Sequence, residues 1–525
     1  MKREVEMQND TDRFDLLGDL PRGRHRDDIG RPSNAYFESP QNLIATESLR
    51  FDAERNLQSK LFLGVAGGKV VTGPRLPDGR LSRWVEGGVP LGVSTDQHSL
   101  LIAGSRSGKG RAATIPLALS LPASTSMVLV DPKGEHARIT ARWRADGLGQ
   151  EVSLLDPFGC SGEKTRRFCR VFNPLQILLR SGRRTLVPNA KLIADAIIVP
   201  GETKDPHWDN TAKQILAALC VHVVTHQNYA GMRDLVTVWK LASELATPDP
   251  DDPHRYWLER EMTESDAAGG MVRSAALNFY ARTGGEFSSV LSNLNKHLEW
   301  IAIECIQETL RGDSIDLRDL KRSSLALYVS LPAMRMADLS GWLRLVVQLA
   351  IAAHEEEPHQ TGHSTVLILE EFFALGGMRC LETAIGQIAG FGARMYVVLQ
   401  DLNQLRANFP KNFETFIANA GLLQVFGGAD QTTLEYCSKL LGQSLAITRS
   451  TNMPTFEQAA KHAATGESWS VATHPLMTAE EIGRYFARDD KKLRQLVIRP
   501  GYRPMILQRA YYDKHELFRG KFDER

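Results

Sequence analysis

The sequence predicts an α/β fold: a parallel sheet buried between helices, interrupted by an inserted all-α domain. Three observations carry this. Seven short apolar runs recur along the chain, at Leu100–Ala103, Met127–Val130, Val152–Leu155, Leu325–Leu331, Val366–Leu369, Met395–Leu399 and Leu422–Phe426. Most are apolar at successive positions, as strands covered on both faces must be, and helical stretches separate them. Between about 201 and 310 the strand pattern stops, and apolar residues recur every three or four positions instead.

Taken in order, residues 1–58 are polar and of mixed charge, punctuated by Pro21-Arg22-Gly23-Arg24 and Arg31-Pro32, and are expected to be disordered or loosely docked. Short apolar runs between glycines over 60–98 suggest a small β region. The main domain is expected to be discontinuous, over 59–200 and 311–525. The inserted helices are expected at Trp208–Thr225, Met232–Leu245, Tyr256–Thr263, Met271–Thr283 and Phe287–Leu310. Near the end, Thr478 is a predicted N-cap before Ala-Glu-Glu-Ile, followed by strands at Leu496–Ile498 and Met505–Leu507.

The first strand of the series leads into Ala103-Gly104-Ser105-Arg106-Ser107-Gly108-Lys109-Gly110-Arg111 and then into a helical stretch to about Leu121. Strand, glycine-bearing turn, lysine and helix are the parts of a phosphate-binding loop. Backbone N–H groups from Gly104 to Gly110 would wrap a β-phosphate, and Lys109 would reach the β/γ oxygens. The match departs from consensus at two places: Ala103 stands for the first glycine, and Gly110 for the hydroxyl residue that would hold Mg²⁺.

A second group lies at Thr365-Val-Leu-Ile-Leu-Glu370-Glu371-Phe372. In a nucleotide site the first carboxylate, Glu370, would hold Mg²⁺ through water, and Glu371 would polarise the attacking water. The competing reading is a pair of solvated glutamates at a strand end. The strand Met395–Leu399 ends in Gln400, where an amide would sense the γ-phosphate. Asp131 and Glu135, in Asp131-Pro-Lys133-Gly-Glu135, are rivals for the water-polarising role. His136 and the other scattered histidines read as structural.

Composition narrows the class. The 525 residues carry a formal net charge of +1, so a polyanion must be met by a local patch. The run Lys164, Arg166, Arg167, Arg170, Arg180, Arg183, Arg184 and Lys191 contains no Asp or Glu between its ends and is a candidate phosphate-backbone surface, with a membrane or protein surface as alternatives. Six cysteines without CxxC pairs fit a reducing compartment and argue against a disulfide framework or a structural zinc. No window approaches the roughly 20 apolar residues of a membrane helix, and no signal peptide opens the chain. A cytoplasmic location is expected, peripheral at a membrane at most.

These residues together resemble the coupling proteins of type IV secretion systems, the TraG/TraD-type conjugative DNA-transfer ATPases. The likeness runs over about 90–515 and includes Asp96-Gln-His98, Arg106-Ser-Gly-Lys-Gly110, Asp131-Pro-Lys-Gly-Glu135, Glu370-Glu371-Phe372, Gln400-Asp-Leu-Asn-Gln404-Leu and Pro475-Leu-Met-Thr-Ala-Glu-Glu-Ile482. It implies a RecA-like domain with an all-α insertion, ATP and Mg²⁺ as cofactors, and a hexameric ring. It also implies passage of single-stranded DNA with its relaxase, or of effector proteins, to a secretion channel. Arg379 and Arg394 are candidates for the arginine that a neighbouring subunit usually supplies. Most relatives have N-terminal membrane helices, which this sequence lacks, so contact with the membrane would run through a partner. Two other readings stay open: a nucleotide-binding docking receptor with little hydrolysis, and a soluble hexameric DNA pump.

Overall fold

The computed structural model describes residues 35–77, 79–199, 207–282, 284–357, 364–452 and 466–524. Fifteen strands occur among them: β1 Leu61–Ala66, β2 Lys69–Arg75, β3 Leu81–Glu86, β4 Val89–Val93, β5 His98–Ala103, β6 Thr125–Asp131, β7 Glu151–Leu155, β8 Leu325–Ser330, β9 Ser364–Leu369, β10 Ala393–Leu399, β11 Ala420–Phe426, β12 Gln443–Asn452, β13 Gly466–Pro475, β14 Arg494–Ile498 and β15 Met505–Gln508. All seven expected core strands are present, and the two expected late strands correspond to β14 and β15.

The chain divides into two compact units. The first comprises Met1–Pro122, Val397–Lys411 and Ile417–Phe522. Its strands run in the order β4-β1-β15-β14-β11-β5. The pairs from β4 to β11 are antiparallel, and β11 pairs with β5 in parallel. β5 is buried along its whole length, which explains why its sequence shows no polar alternation. The hairpins β2–β3 and β12–β13 stand apart from this order. β12–β13 escaped the sequence reading because Ser, Thr, Arg and Asn interrupt its apolar pattern.

The expectation for 1–58 needs correction where it can be examined. Residues 1–34 lie outside the described residues. Beyond them, Ser39 caps a short helix, Pro40–Ala45, by accepting from Asn42 N, and Phe37, Leu43 and Phe51 are buried. Three large apolar side chains are enough to hold this otherwise polar segment down.

The second unit comprises Ala123–Tyr396, Asn412–Phe416 and Asp523–Arg525. Its strands β9-β6-β8-β7 are all parallel. The helical stretch belongs to the same unit and is built around the helix His207–Thr225. That helix is buried at every position from Ile215 to Val224, as expected of one packed on all sides. Helices Leu186–Ile197, Ala267–Tyr280 and Gly285–Leu298 pack against it. The single helix expected over Phe287–Leu310 is broken. Gly285–Leu298 gives way to a tight turn, Glu299–Ala302, where Trp300 is buried, and Glu304–Leu310 follows.

Candidate nucleotide site

The phosphate-binding loop lies in the first unit. β5 ends at Ala103, and the chain turns at Gly104–Ser107, with Ser107 N donating to Gly104 O at 3.2 Å. Arg106 (φ 56°) and Gly108 (φ 85°) are both left-handed. Left-handed residues alternating with right-handed ones turn backbone N–H groups into an anion-binding concavity. For a residue with a Cβ, the Arg106 conformation is strained, as is common where backbone geometry serves a ligand. Gly104 is required by packing: a Cβ there would run into the carbonyl oxygen of Gly427. The Ser107 hydroxyl is buried and finds no partner among the described residues.

The expected helix from Arg111 begins as a wide π turn over Gly110–Thr114 and becomes α-helical over Ile115–Ser120. Pro116 supplies the reason: without an N–H it cannot close the i→i−4 bond, and the turn before it widens. Lys109 sits partly exposed at the head of this turn. Arg111, expected to touch nucleotide, has its guanidinium elsewhere. It donates to Asp513 through Nε (2.9 Å) and Nη2 (2.6 Å) and lies 4.3 Å over the Tyr511 ring. Its side chain is therefore a tie to the C-terminal segment, and only its backbone remains with the loop. The same segment supports Ser107, whose carbonyl accepts from the buried Arg509 at 3.1 Å. Gln400, also in this unit, is partly exposed, and its backbone N–H donates to Gln404 Oε1 at 2.9 Å.

The candidate carboxylates Asp131 and Glu370 lie in the second unit, at the carboxyl ends of β6 and β9. Asp131 is the last residue of β6 and is fully buried. It accepts from Glu135 N (3.1 Å) and Ala137 N (3.0 Å) at the start of the helix Glu135–Arg142, a helix end that favours an anion. His136 lies between Asp131 and Glu370: Nδ1 is 3.3 Å from Asp131 Oδ1, and Nε2 is 2.9 Å from Glu370 Oε2. All three residues are buried. Burial works against charge on the imidazole, yet Glu370 and then Asp131 outweigh it, holding its proton well above the usual histidine range. Against the same burial, His136 keeps Asp131 below the usual carboxylate range.

This arrangement bears on two expectations. Asp131 is committed to the helix end and to His136, which removes it as a rival for polarising water. His136, read as merely structural, joins two of the candidate carboxylates. The signal for it was present: it is the second residue of a helix that begins four residues after the strand-end Asp131, which places it beside that strand end. Glu371 follows Glu370 and is partly exposed, in the short linker before the tight turn Phe372–Leu375.

The other expected residues are scattered. Arg394 is buried near the start of β10. The Arg379 side chain lies outside the described residues. The basic run meets carboxylates that the linear sequence hid. Arg166 pairs with Glu163 (3.2 Å), Arg167 with Asp146 (2.5 Å) and Arg180 with Asp316 (3.2 Å), while Arg170 donates to the carbonyls of Arg167 and Cys169. Arg183 and Arg184 lie exposed in the turn before Leu186–Ile197.

Comparison with known proteins adds to this geometry. The family model described as "Type IV secretory system Conjugative DNA transfer" matches residues 48–524. Conjugal transfer protein TraG of Escherichia coli is 26% identical over 406 residues, which cover 74% of this chain and 61% of that protein. The chain thus spans less than two thirds of that relative's length. The bacterial conjugative coupling protein TrwBdeltaN70 in its unbound form is similar in structure, with a TM-score of 0.58 at 15% identity, covering 79% of this chain and 85% of that one. TrwB in complex with ADP and Mg²⁺ gives a TM-score of 0.57 at 16% identity, covering 80% and 88%. These likenesses show the fold: α/β, of the expected RecA-like class. Among the described residues, no helix is long and apolar enough to cross a membrane.

Proposed function

Because the chain belongs to the type IV secretory system conjugative DNA transfer family, we propose that it is an ATP-driven coupling protein. Its task on this reading is to recruit single-stranded DNA with an attached relaxase, or effector proteins, and drive them towards a secretion channel. The observation that carries the nucleotide part is the loop at 104–110, with its two left-handed residues set between a fully buried strand and a helix. TrwB, which shares the fold, was solved with ADP and Mg²⁺, which supports the same cofactors here.

The residues divide the work as follows. Backbone N–H groups of 104–110 hold phosphate oxygens, and Lys109 neutralises the β/γ charge. Glu370, one of whose oxygens is held by His136, would hold Mg²⁺ through water with the other. Glu371 orients a water and accepts its proton, and the Gln400 amide donates to phosphate while accepting from that water. Mg²⁺ supplies charge neutralisation when bound. The inserted helices of 201–310 serve substrate recognition, and Arg166, Arg167, Arg170, Arg183 and Arg184 are the candidate contacts to DNA. Assembly as a hexamer, docking on channel components and contact with the membrane through a partner complete the proposal.

The test is steady-state ATP hydrolysis by the purified chain, with and without single-stranded DNA, beside Lys109→Ala and Glu371→Gln. Turnover that rises with DNA, vanishes in the first variant and is lost with retained ATP binding in the second supports the reading. Unchanged turnover in both variants overturns the site. Tight ATP binding without turnover, indifferent to DNA, replaces the motor with a docking receptor.

A further inference from the structure

Outside the nucleotide site, the helical stretch brings together a second group of metal-ligating side chains. His222 lies in the last turn of His207–Thr225, His226 follows one turn later, and Glu261 projects from the helix Trp257–Thr263. His222 Nε2 is 2.7 Å from Glu261 Oε1, and His226 Nδ1 is 3.9 Å from the same oxygen. The two imidazole rings lie 4.8 Å apart. We propose that His222, His226 and Glu261 form a binding site for a zinc-class divalent cation, with a water or a further donor completing four-fold coordination.

The neighbours of these residues favour the reading. His222 is fully buried in a helix segment that is otherwise apolar, Leu219 to Val224 apart from itself, and it directs Nε2 at Glu261. A polar ring at such a position calls for a compensating interaction. Glu261 is fixed from both sides: the Tyr229 hydroxyl donates to Oε1 at 2.6 Å, and Asn228 Nδ2 donates to Oε2 at 2.8 Å. Carboxylate ligands held by outer hydrogen bonds in this way are typical of metal sites. The Asn228 N–H also donates to His226 Nδ1 at 3.3 Å, a hydrogen bond that a metal on Nδ1 would replace. Two ligand atoms on a tetrahedral zinc stand about 3.4 Å apart, a value the 2.7 and 3.9 Å separations bracket. His226 remains partly exposed, which leaves a route for the ion and for water.

Ligand chemistry sets the class of ion. Two imidazoles and one carboxylate suit Zn²⁺ or Co²⁺ and are a poor set for Mg²⁺ or Ca²⁺, which prefer oxygen. Binding would replace the contact between His222 and Glu261 and would pin the end of the central helix to Trp257–Thr263.

The proposal is tested on the full chain, stripped with chelator and titrated with Co²⁺ as the probe, without nucleotide. Expected are one equivalent bound, the visible absorption of a four-coordinate site, displacement by Zn²⁺ and none by Mg²⁺. His226→Ala and Glu261→Gln, with folding checked by circular dichroism, should abolish the band, and Tyr229→Phe should weaken binding about 10- to 100-fold. Absence of the band in the parent protein overturns the site. So does a band that survives Glu261→Gln, because the ion would then be held without the proposed carboxylate.

Discussion

Glu370 Oε2 and His136 Nε2 stand 2.9 Å apart inside the second unit, so the first of two adjacent carboxylates is turned inward onto a buried imidazole. The second, Glu371, remains partly exposed. Two residues of the same type, next to each other at a strand end, therefore have different surroundings. That difference is the physical basis for giving them different tasks: Glu370 is held in place, and Glu371 is near solvent.

Removing the shared cation separates position from charge. His136→Ala leaves Asp131 and Glu370 buried without their partner, and breaking such a pair costs about 3–5 kcal/mol. Glu370→Gln keeps a group that can hydrogen-bond to His136 and should cost clearly less. Urea unfolding of the two variants checks the order. Equal stability in His136→Ala and the parent chain would show that the imidazole does not hold the carboxylates together.

The phosphate loop should be equally sensitive on its far side. Gly104→Ala places a methyl group against the Gly427 carbonyl, backbone that cannot swing away. Melting temperature and nucleotide affinity should fall together. Gly182→Ala, where nothing lies within 4 Å of the added carbon, should leave both unchanged. A Gly104→Ala protein with normal affinity would mean that the loop does not need this close approach.

The sheet was largely legible because burial leaves a simple signature. Val128, Leu129 and Val130 are all buried, and a short apolar run of strand length, bounded by turn residues, is what a strand covered on both faces asks for. Local chemistry was legible too, as in the Thr478–Glu481 capping box. What sequence did not show was which distant residue completes each charge. Arg111 finds its carboxylate in Asp513, some 402 positions away, and His136 finds Glu370 on another strand. The arginine-rich stretch from 164 looked unopposed for the same reason: Asp146 and Asp316 lie outside it in sequence and beside it in space.

Asp316 gives a pH-dependent prediction. Against its partial burial, hydrogen bonds from Arg318 and the charge of Arg180 lower its pKa from the ordinary 3.8. A carboxyl whose folded pKa is depressed adds stability above its unfolded pKa and loses it as pH falls through the folded value. The stability difference between the parent chain and Asp316→Asn should thus be constant from pH 7 down to about 5 and shrink below 4. A difference that persists unchanged at pH 2.5 would assign the effect to packing instead of charge.

The salt pairs also sharpen what to expect of DNA. Arg166 and Arg167 each face a carboxylate at the surface, and exposed pairs of this kind are worth only about 0–1 kcal/mol, so a phosphate can compete for either arginine. Arg183 and Arg184, exposed in the turn before Leu186, have less to give up. Each phosphate contact on a single strand contributes about 0.7 to the slope of log affinity against log salt concentration. Arg183→Ala with Arg184→Ala should flatten that slope by about 1.4 if both touch the backbone. Arg166→Ala with Arg167→Ala should flatten it by a similar amount but weaken binding less at low salt, because in the parent chain a phosphate must first displace Glu163 or Asp146. Fluorescence anisotropy with labelled single-stranded DNA over a range of salt concentrations measures both. An unchanged slope in the two double variants would remove this stretch from the DNA path and leave it as a surface for a protein partner.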